Sequence, residues 1–212
     1  MKIRSVEYAG EIAEPGGSPP GSLPQVAFSG RSNVGKSSLI NCLVRRDRLA
    51  RVAKRPGKTR MIHFYRVNDR FLLADLPGYG YAEVPDEMQR SWAPLIEGYL
   101  TSAGGLLGVV QLVDSRHPPT DDDRRMFRYL AGLGLPTLFV LTKIDKLNRS
   151  ERRGARERAR EEIGVGEEQL LVTSAKTGEG RGELLAALEG LLEGADADDG
   201  GGTKQSRGAI TP

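Results

Sequence analysis

Between residues 25 and 173, short apolar runs of strand length alternate with longer stretches whose apolar positions recur every three or four residues. The runs Gln25–Phe28, Met61–Val67, Phe71–Asp75, Leu106–Asp114, Pro136–Leu141 and Leu170–Thr173 predict six strands. Lys36–Val44, Pro85–Thr101, Asp121–Leu133, Ser150–Ile163 and Gly180–Leu192 predict helices, with Ser150 as an N-cap and Pro85 at a helix start. Asn68-Asp69-Arg70 joins two strands as a hairpin, so that pair is antiparallel. The remaining strand–helix alternation predicts an α/β fold, a mostly parallel six-stranded sheet with one antiparallel strand and helices on both faces.

The ends break this pattern. Residues 14–24 are rich in glycine, proline and serine and read as a linker, so 1–24 form an N-terminal extension in which Ile3–Ile12 can add one short strand. Residues 25–193 form one domain, and 194–212, poor in apolar residues, read as a disordered tail. A single cysteine, Cys42, excludes a disulfide scaffold and fits a reducing compartment. The start is charged where a secretory signal needs an apolar core. The longest uncharged stretches, Gly98–Val113 and Tyr129–Thr142, are too short for a membrane span. A soluble, cytoplasmic, monomeric protein without membrane contact is the expectation.

Ligands on such sheets bind beyond the C-terminal strand ends, so the segment after each strand matters most. After Gln25–Phe28 comes Gly30-Arg31-Ser32-Asn33-Val34-Gly35-Lys36-Ser37, which fits G-x-x-x-x-G-K-[ST] between a strand and a helix. Its glycines let backbone N–H groups turn toward phosphate oxygens, and the following helix adds its positive end. Lys36 should reach the β- and γ-phosphates and the Ser37 hydroxyl should bind Mg²⁺. Phe71–Asp75 ends in a carboxylate suited to holding the metal through water, and Gly78 can bring its N–H to the γ-phosphate. Thr59, in the loop Arg55–Arg60, can complete the Mg²⁺ shell and release it after hydrolysis.

Two later strand ends address the base. Asp145, in Thr142-Lys143-Ile144-Asp145, can accept from the N1–H and amino group of guanine, a pair that adenine does not offer. Lys143 can lay its stem over the ring, and Ser174-Ala175-Lys176 can present backbone N–H to the guanine O6.

These elements, in order, resemble a translation-factor-class GTPase domain. The phrases Gly30–Ser38, Pro56-Gly57-Lys58-Thr59, Asp75-Leu76-Pro77-Gly78-Tyr79-Gly80-Tyr81-Ala82, Asp114–Thr120 and Thr142–Asp145 are similar to those of the EngB (YihA/YsxC) family of bacterial GTPases, over about residues 24–193. The resemblance implies GTP/GDP binding, hydrolysis to GDP and phosphate, and a role in large ribosomal subunit assembly linked to cell division and septation. It places the nucleotide on Gly30, Arg31, Ser32, Asn33, Val34, Gly35, Lys36 and Ser37; on Gly57, Lys58, Thr59, Arg60 and Met61; on Asp75, Leu76, Pro77 and Gly78; on Thr142, Lys143, Ile144 and Asp145; and on Thr173, Ser174, Ala175 and Lys176. It places magnesium on Ser37 and Thr59, beside the Asp75 read from its strand end. Lys36, Thr59 and Gly78 then carry the catalytic roles.

Two departures from GTPases at large change the expectation. Thr142 replaces the usual asparagine of the base motif, and its hydroxyl makes fewer contacts than an amide, which implies modest nucleotide affinity. Tyr79 stands where many GTPases place a water-orienting glutamine. A phenol with a pKa of about 10 is a poor base, so intrinsic hydrolysis should be slow and raised by a partner. Asn33 stands where potassium-stimulated relatives carry asparagine. It either helps hold a K⁺ at the phosphates or serves loop geometry.

The formal charge of +3 is uneven. Residues 45–60 carry eight basic side chains and one acid, a net +7, which leaves −4 for the rest. That band, beside the Thr59 loop, can neutralise phosphates of rRNA in the large ribosomal subunit. The arginines of 149–160 are interleaved with glutamates and read as a solvent-exposed, salt-bridged helix. Trp92, spaced with Ile96 and Tyr99, reads as packing, Cys42 as a packed thiol, and His117 as non-catalytic. Three functions fit: a GTP-hydrolysing switch on a ribosomal intermediate, a nucleotide-gated RNA-binding module with incidental hydrolysis, and a direct division-septum factor.

Overall fold

The computed structural model describes residues 1–46, 49–50, 61–80 and 86–200, and the side chains of these except 86–93 and 196–200. Gly57, Lys58, Thr59, Arg60, most of the basic band, Pro85, the Trp92 side chain and 201–212 therefore lie outside the described residues.

Among the described residues seven strands form one sheet: β1 (Val6–Ile12), β2 (Gln25–Gly30), β3 (Ile62–Val67), β4 (Phe71–Asp75), β5 (Leu106–Asp114), β6 (Thr137–Thr142) and β7 (Leu170–Val172). Their order is β1-β3-β4-β2-β5-β6-β7. Among the described residues four α-helices connect strands, α1 (Lys36–Val44), α2 (Asp86–Ser102), α3 (Asp121–Leu133) and α4 (Arg149–Ile163), and α5 (Arg181–Gly200) follows β7. The expected six strands become seven because Val6–Ile12 pairs antiparallel with β3. Only β3 runs against the others, pairing antiparallel with β4 as well. The hairpin between them turns through Asn68 and Asp69, both with positive φ, a conformation that these two residue types tolerate. The Asn68 side chain also secures the N-terminal segment, accepting from the Arg4 and Ser5 N–H at 2.7 and 3.1 Å and donating to the Lys2 carbonyl at 2.8 Å.

Strands β2 and β4 are buried along their whole length, as central parallel strands covered on both faces must be. Alternate side chains supply two cores. Val26, Phe28, Leu73 and Leu112 pack under α1 and α5 with Leu39, Leu43, Leu184 and Leu188. Ala27, Leu72, Ala74 and Val109 pack under α2 and α3 with Leu95, Ile96, Tyr99 and Leu130. Phe127, Phe139, Ala159 and Leu170 close the α4 end.

Two expectations at helix ends are corrected. Asn148, not Ser150, caps α4: its side chain accepts from the Ser150 and Glu151 N–H at 3.0 Å, and Glu151 accepts back from the Asn148 N–H at 2.8 Å. That reciprocal box satisfies more free N–H groups than Ser150 could alone. Helix α5 continues to Gly200, so 194–200, read from composition as tail, is helical. Apolar content does not measure the ability of a strong helix former such as alanine to extend a helix that packing has already nucleated.

Candidate nucleotide site

The phosphate loop begins where β2 ends. Gly30 closes the strand, the Val34 N–H donates back to Arg31 at 3.1 Å, and Asn33 adopts φ 63°. Gly35 then caps α1 at φ 106°, a conformation that favours glycine. No side chain caps this helix, so its leading N–H groups and positive end stay directed at the loop. Ser37 sits in the first turn.

A second loop lies against the first. Asp75 ends β4 beside Phe28 of β2, and its carboxylate accepts from the Lys36 ammonium; the two side chains are only 5% and 9% exposed. Beyond it, the Ser32 N–H donates to the Tyr79 carbonyl at 2.8 Å. A Cβ on Gly78 would stand 3.1 Å from Ser32 Cα and 3.2 Å from its nitrogen, so the close approach favours glycine. The Tyr79 side chain turns away from the phosphate loop, its hydroxyl donating to Asp123 at 2.9 Å and accepting from Gln111 at 2.8 Å. A cavity of about 410 Å³ opens on this side, between Arg31–Val34 and the loop Asp114–Thr120.

The segments expected to read the base are joined to the same loop. Thr142 ends β6 and donates to the Val34 carbonyl at 2.7 Å. Lys143, at φ 59°, donates to the Asn33 carbonyl at 2.6 Å and to Asp114 Oδ2 at 2.8 Å. Its ammonium is thus spent on holding the loop, while its stem passes 3.6 Å from where a Cβ on Gly35 would be. Burial pushes the Asp114 carboxyl up, but hydrogen bonds from Arg116 and then Lys143 outweigh it and hold the group well below the usual carboxylate range. Asp145 accepts from the Ser174 hydroxyl at 2.6 Å, which keeps its carboxyl low and charged, a state that suits the acceptor role expected of it. The Ile144 N–H donates to Thr173 at 3.1 Å, drawing the two base loops together.

Gly30–Ser37, Asp75–Gly78, Thr142–Asp145 and Thr173–Lys176 therefore gather at one end of the sheet, with Met61 immediately before β3. The donor set near Ser37 and Asp75, one carboxylate and a hydroxyl, suits a hard cation that takes one or two carboxylates together with substrate phosphates, as Mg²⁺ does. Among the described residues no group of three or more histidine, cysteine or acidic side chains offers another metal site, and no helix is long and apolar enough to cross a membrane. The arginine-rich α4 buries Ala155 and Ala159 while its arginines are half-buried or exposed, and Arg152 pairs with Glu179 at 2.9 Å and Arg160 with Glu167 at 3.3 Å, both partners outside the helix.

Sequence reasoning missed the partners of Tyr79. The signal was Asp123 three residues after Thr120, the spacing of a capping box, which the structure contains. It also missed Arg181, whose guanidinium donates to the Cys42 and Leu43 carbonyls and closes the C-terminal end of α1.

The family described as "50S ribosome-binding GTPase" matches residues 25–143. The GTP-binding protein EngB of Gemmatimonas aurantiaca is 52% identical over 193 residues, covering 91% of this chain and 95% of the relative. EngB of Desulforamulus reducens is 47% identical over 194 residues, with the same coverage. A crystal structure of an EngB GTP-binding protein superposes with a TM-score of 0.69 at 26% identity, covering 80% of this chain and 98% of that one. On this identity and coverage, the chain belongs to the EngB family of P-loop GTPases, enzymes that hydrolyse GTP to GDP and phosphate.

Proposed function

We propose that this chain is a Mg²⁺-dependent GTP switch acting in assembly of the large ribosomal subunit, in the cytoplasm and as a monomer, with consequences for cell division and septation. The observation that carries the reading is the joining of phosphate loop and base loops by Thr142 and Lys143, which makes one site of the right chemistry for a guanine nucleotide. The family description as ribosome-binding supports the partner.

In this reading the backbone N–H groups of Gly30–Ser37 receive the phosphates, and the Lys36 ammonium offsets charge on the transferred group. Ser37, Asp75 and Thr59 hold Mg²⁺, which neutralises phosphate charge when bound. Gly57, Lys58, Arg60 and Met61 flank Thr59, while Leu76 and Pro77 set the approach of Gly78 to the γ-phosphate. Asp145 reads guanine, with Lys143, Ile144, Thr173, Ser174, Ala175 and Lys176 around the base. The phenol of Tyr79 is committed to Asp123 and Gln111 and supplies no base to water, so intrinsic hydrolysis is slow. Asn33 can contribute to a K⁺ at the phosphates, and equal hydrolysis rates in KCl and NaCl would remove that role. Residues 45–60 meet rRNA, with Arg45 and Arg46 already exposed at the end of α1.

The deciding experiment is sedimentation with large ribosomal subunits in a sucrose gradient, in GTP analogue and in GDP, together with single-turnover hydrolysis with and without subunits. Co-sedimentation in the analogue and faster hydrolysis on subunits are expected. Failure to co-sediment in either nucleotide would sink the ribosomal reading. Binding without any change in hydrolysis would favour the nucleotide-gated RNA-binding module.

A further inference from the structure

Tyr79 is held at both its main chain and its side chain. Its carbonyl accepts from Ser32 of the phosphate loop at 2.8 Å. Its phenol reaches the other way, donating to Asp123 Oδ1 at 2.9 Å and accepting from Gln111 Nε2 at 2.8 Å. Gln111 is wholly buried in β5, and Asp123 is 6% exposed in the first turn of α3. Asp123 is itself fastened, since its Oδ2 accepts from the Thr120 N–H and hydroxyl, both at 2.8 Å. Both anchors belong to rigid elements of the sheet and its covering helix. Burial, and then the Asp123 carboxylate, push the phenol well above its ordinary range, so it remains a protonated donor. It is a strut.

We propose that Gln111 and Asp123 are positioning residues for GTP hydrolysis, acting through the Tyr79 phenol to hold Gly78 against Ser32, where its N–H meets the γ-phosphate. Gly78 precedes the strut by one residue, and a Cβ there would stand 3.1 Å from Ser32 Cα and 3.2 Å from its nitrogen, closer than side chains ordinarily pack. Without the phenol, the segment keeps the Ser32–Tyr79 main-chain bond, in a partly exposed loop where water can compete for the same groups. GDP has no γ-phosphate, so the strut favours GTP over GDP and adds little to the binding of either base or ribose. A tyrosine that merely packs would support both nucleotides alike. The proposal rests on the nucleotide site of the preceding section.

The test uses the full chain and two fluorescent probes, N-methylanthraniloyl GDP and the matching non-hydrolysable GTP analogue, with single-turnover GTP hydrolysis. Tyr79→Phe, Asp123→Asn, Gln111→Met and the Tyr79→Phe/Asp123→Asn double variant are compared with the parent. Loss of a hydrogen bond to a charged acceptor predicts roughly tenfold weaker analogue binding for Tyr79→Phe and Asp123→Asn, and a smaller loss for Gln111→Met. GDP affinity stays within about twofold, hydrolysis slows, and the double variant is no worse than its worse parent. Tyr79→Phe leaves the α3 cap intact, so it decides the matter if Asp123→Asn unfolds. An unchanged ratio of analogue to GDP affinity, or additive losses, overturns the positioning role. A parent chain that binds neither probe overturns the nucleotide site itself, and this proposal with it.

Discussion

The hydroxyl of Thr142 donates to the carbonyl of Val34 at 2.7 Å, fastening the end of β6 to the phosphate loop across 108 residues of sequence. The residue that replaces the usual asparagine thus keeps a structural bond between base and phosphate subsites. Thr142→Val retains the shape and removes the donor. It should cost about 1–3 kcal/mol in denaturant unfolding, because a buried carbonyl loses its partner. GDP affinity measured by fluorescence should fall with it, and an unchanged midpoint would show that water replaces the hydroxyl.

Lys36 and Asp75 form a pair with little solvent access, so each is the other's chief counter-charge. Lys36→Ala should destabilise the chain by about 3–5 kcal/mol in urea unfolding and abolish hydrolysis, because the Asp75 charge is left buried. The double variant Lys36→Met/Asp75→Leu should recover most of the stability and none of the activity. A double variant as unstable as Lys36→Ala would mean that the loop, rather than the charge, responds.

Asp145 is oriented by the Ser174 hydroxyl at 2.6 Å. Asp145→Asn presents an amide to the N1–H and amino group of guanine, so one of two charge-assisted bonds becomes a clash of donors. GTP binding should weaken about 10- to 100-fold. Xanthosine triphosphate, which offers a carbonyl at that position, should become the better substrate in competition binding. Ser174→Ala should shift the same preference only slightly.

The Asp114 carboxyl is held low in the folded state by Arg116 and Lys143 against the opposing effect of burial. Its folded pKa therefore lies below the unfolded value of about 3.9. The stability it supplies is complete above that value and is lost as pH falls through the folded one. Between neutrality and pH 3, Asp114→Asn should show a shallower decline in melting temperature than the parent chain. Parallel curves would assign the acid sensitivity elsewhere.

Much of this molecule could be read along the chain because its signals are local. The ends of α1 and α3 coincide with the apolar periodicity, and β4 and β5 with their apolar runs. The phosphate loop was legible for the same reason: glycine, lysine and serine within eight residues need no distant partner to define their chemistry. The N-terminal strand was less legible, since its partner β3 begins fifty residues later and nothing in Val6–Ile12 names it. Composition misjudged 194–200, where a preceding packed helix, not apolar content, decides the continuation.

What the sequence determined by itself is the inventory of a GTPase: a phosphate cradle, a strand-end carboxylate, two base loops and the order of strands and helices that presents them at one edge. Tertiary structure decided which of these groups restrain one another. Lys143 meets Asn33 across 110 residues, and the Tyr79 phenol meets Asp123 and Gln111 across 44 and 32. Such bonds depend on where parallel strands and their crossover helices bring chain segments together. A hydroxyl or an ammonium has no direction until the fold places an acceptor within 3 Å of it.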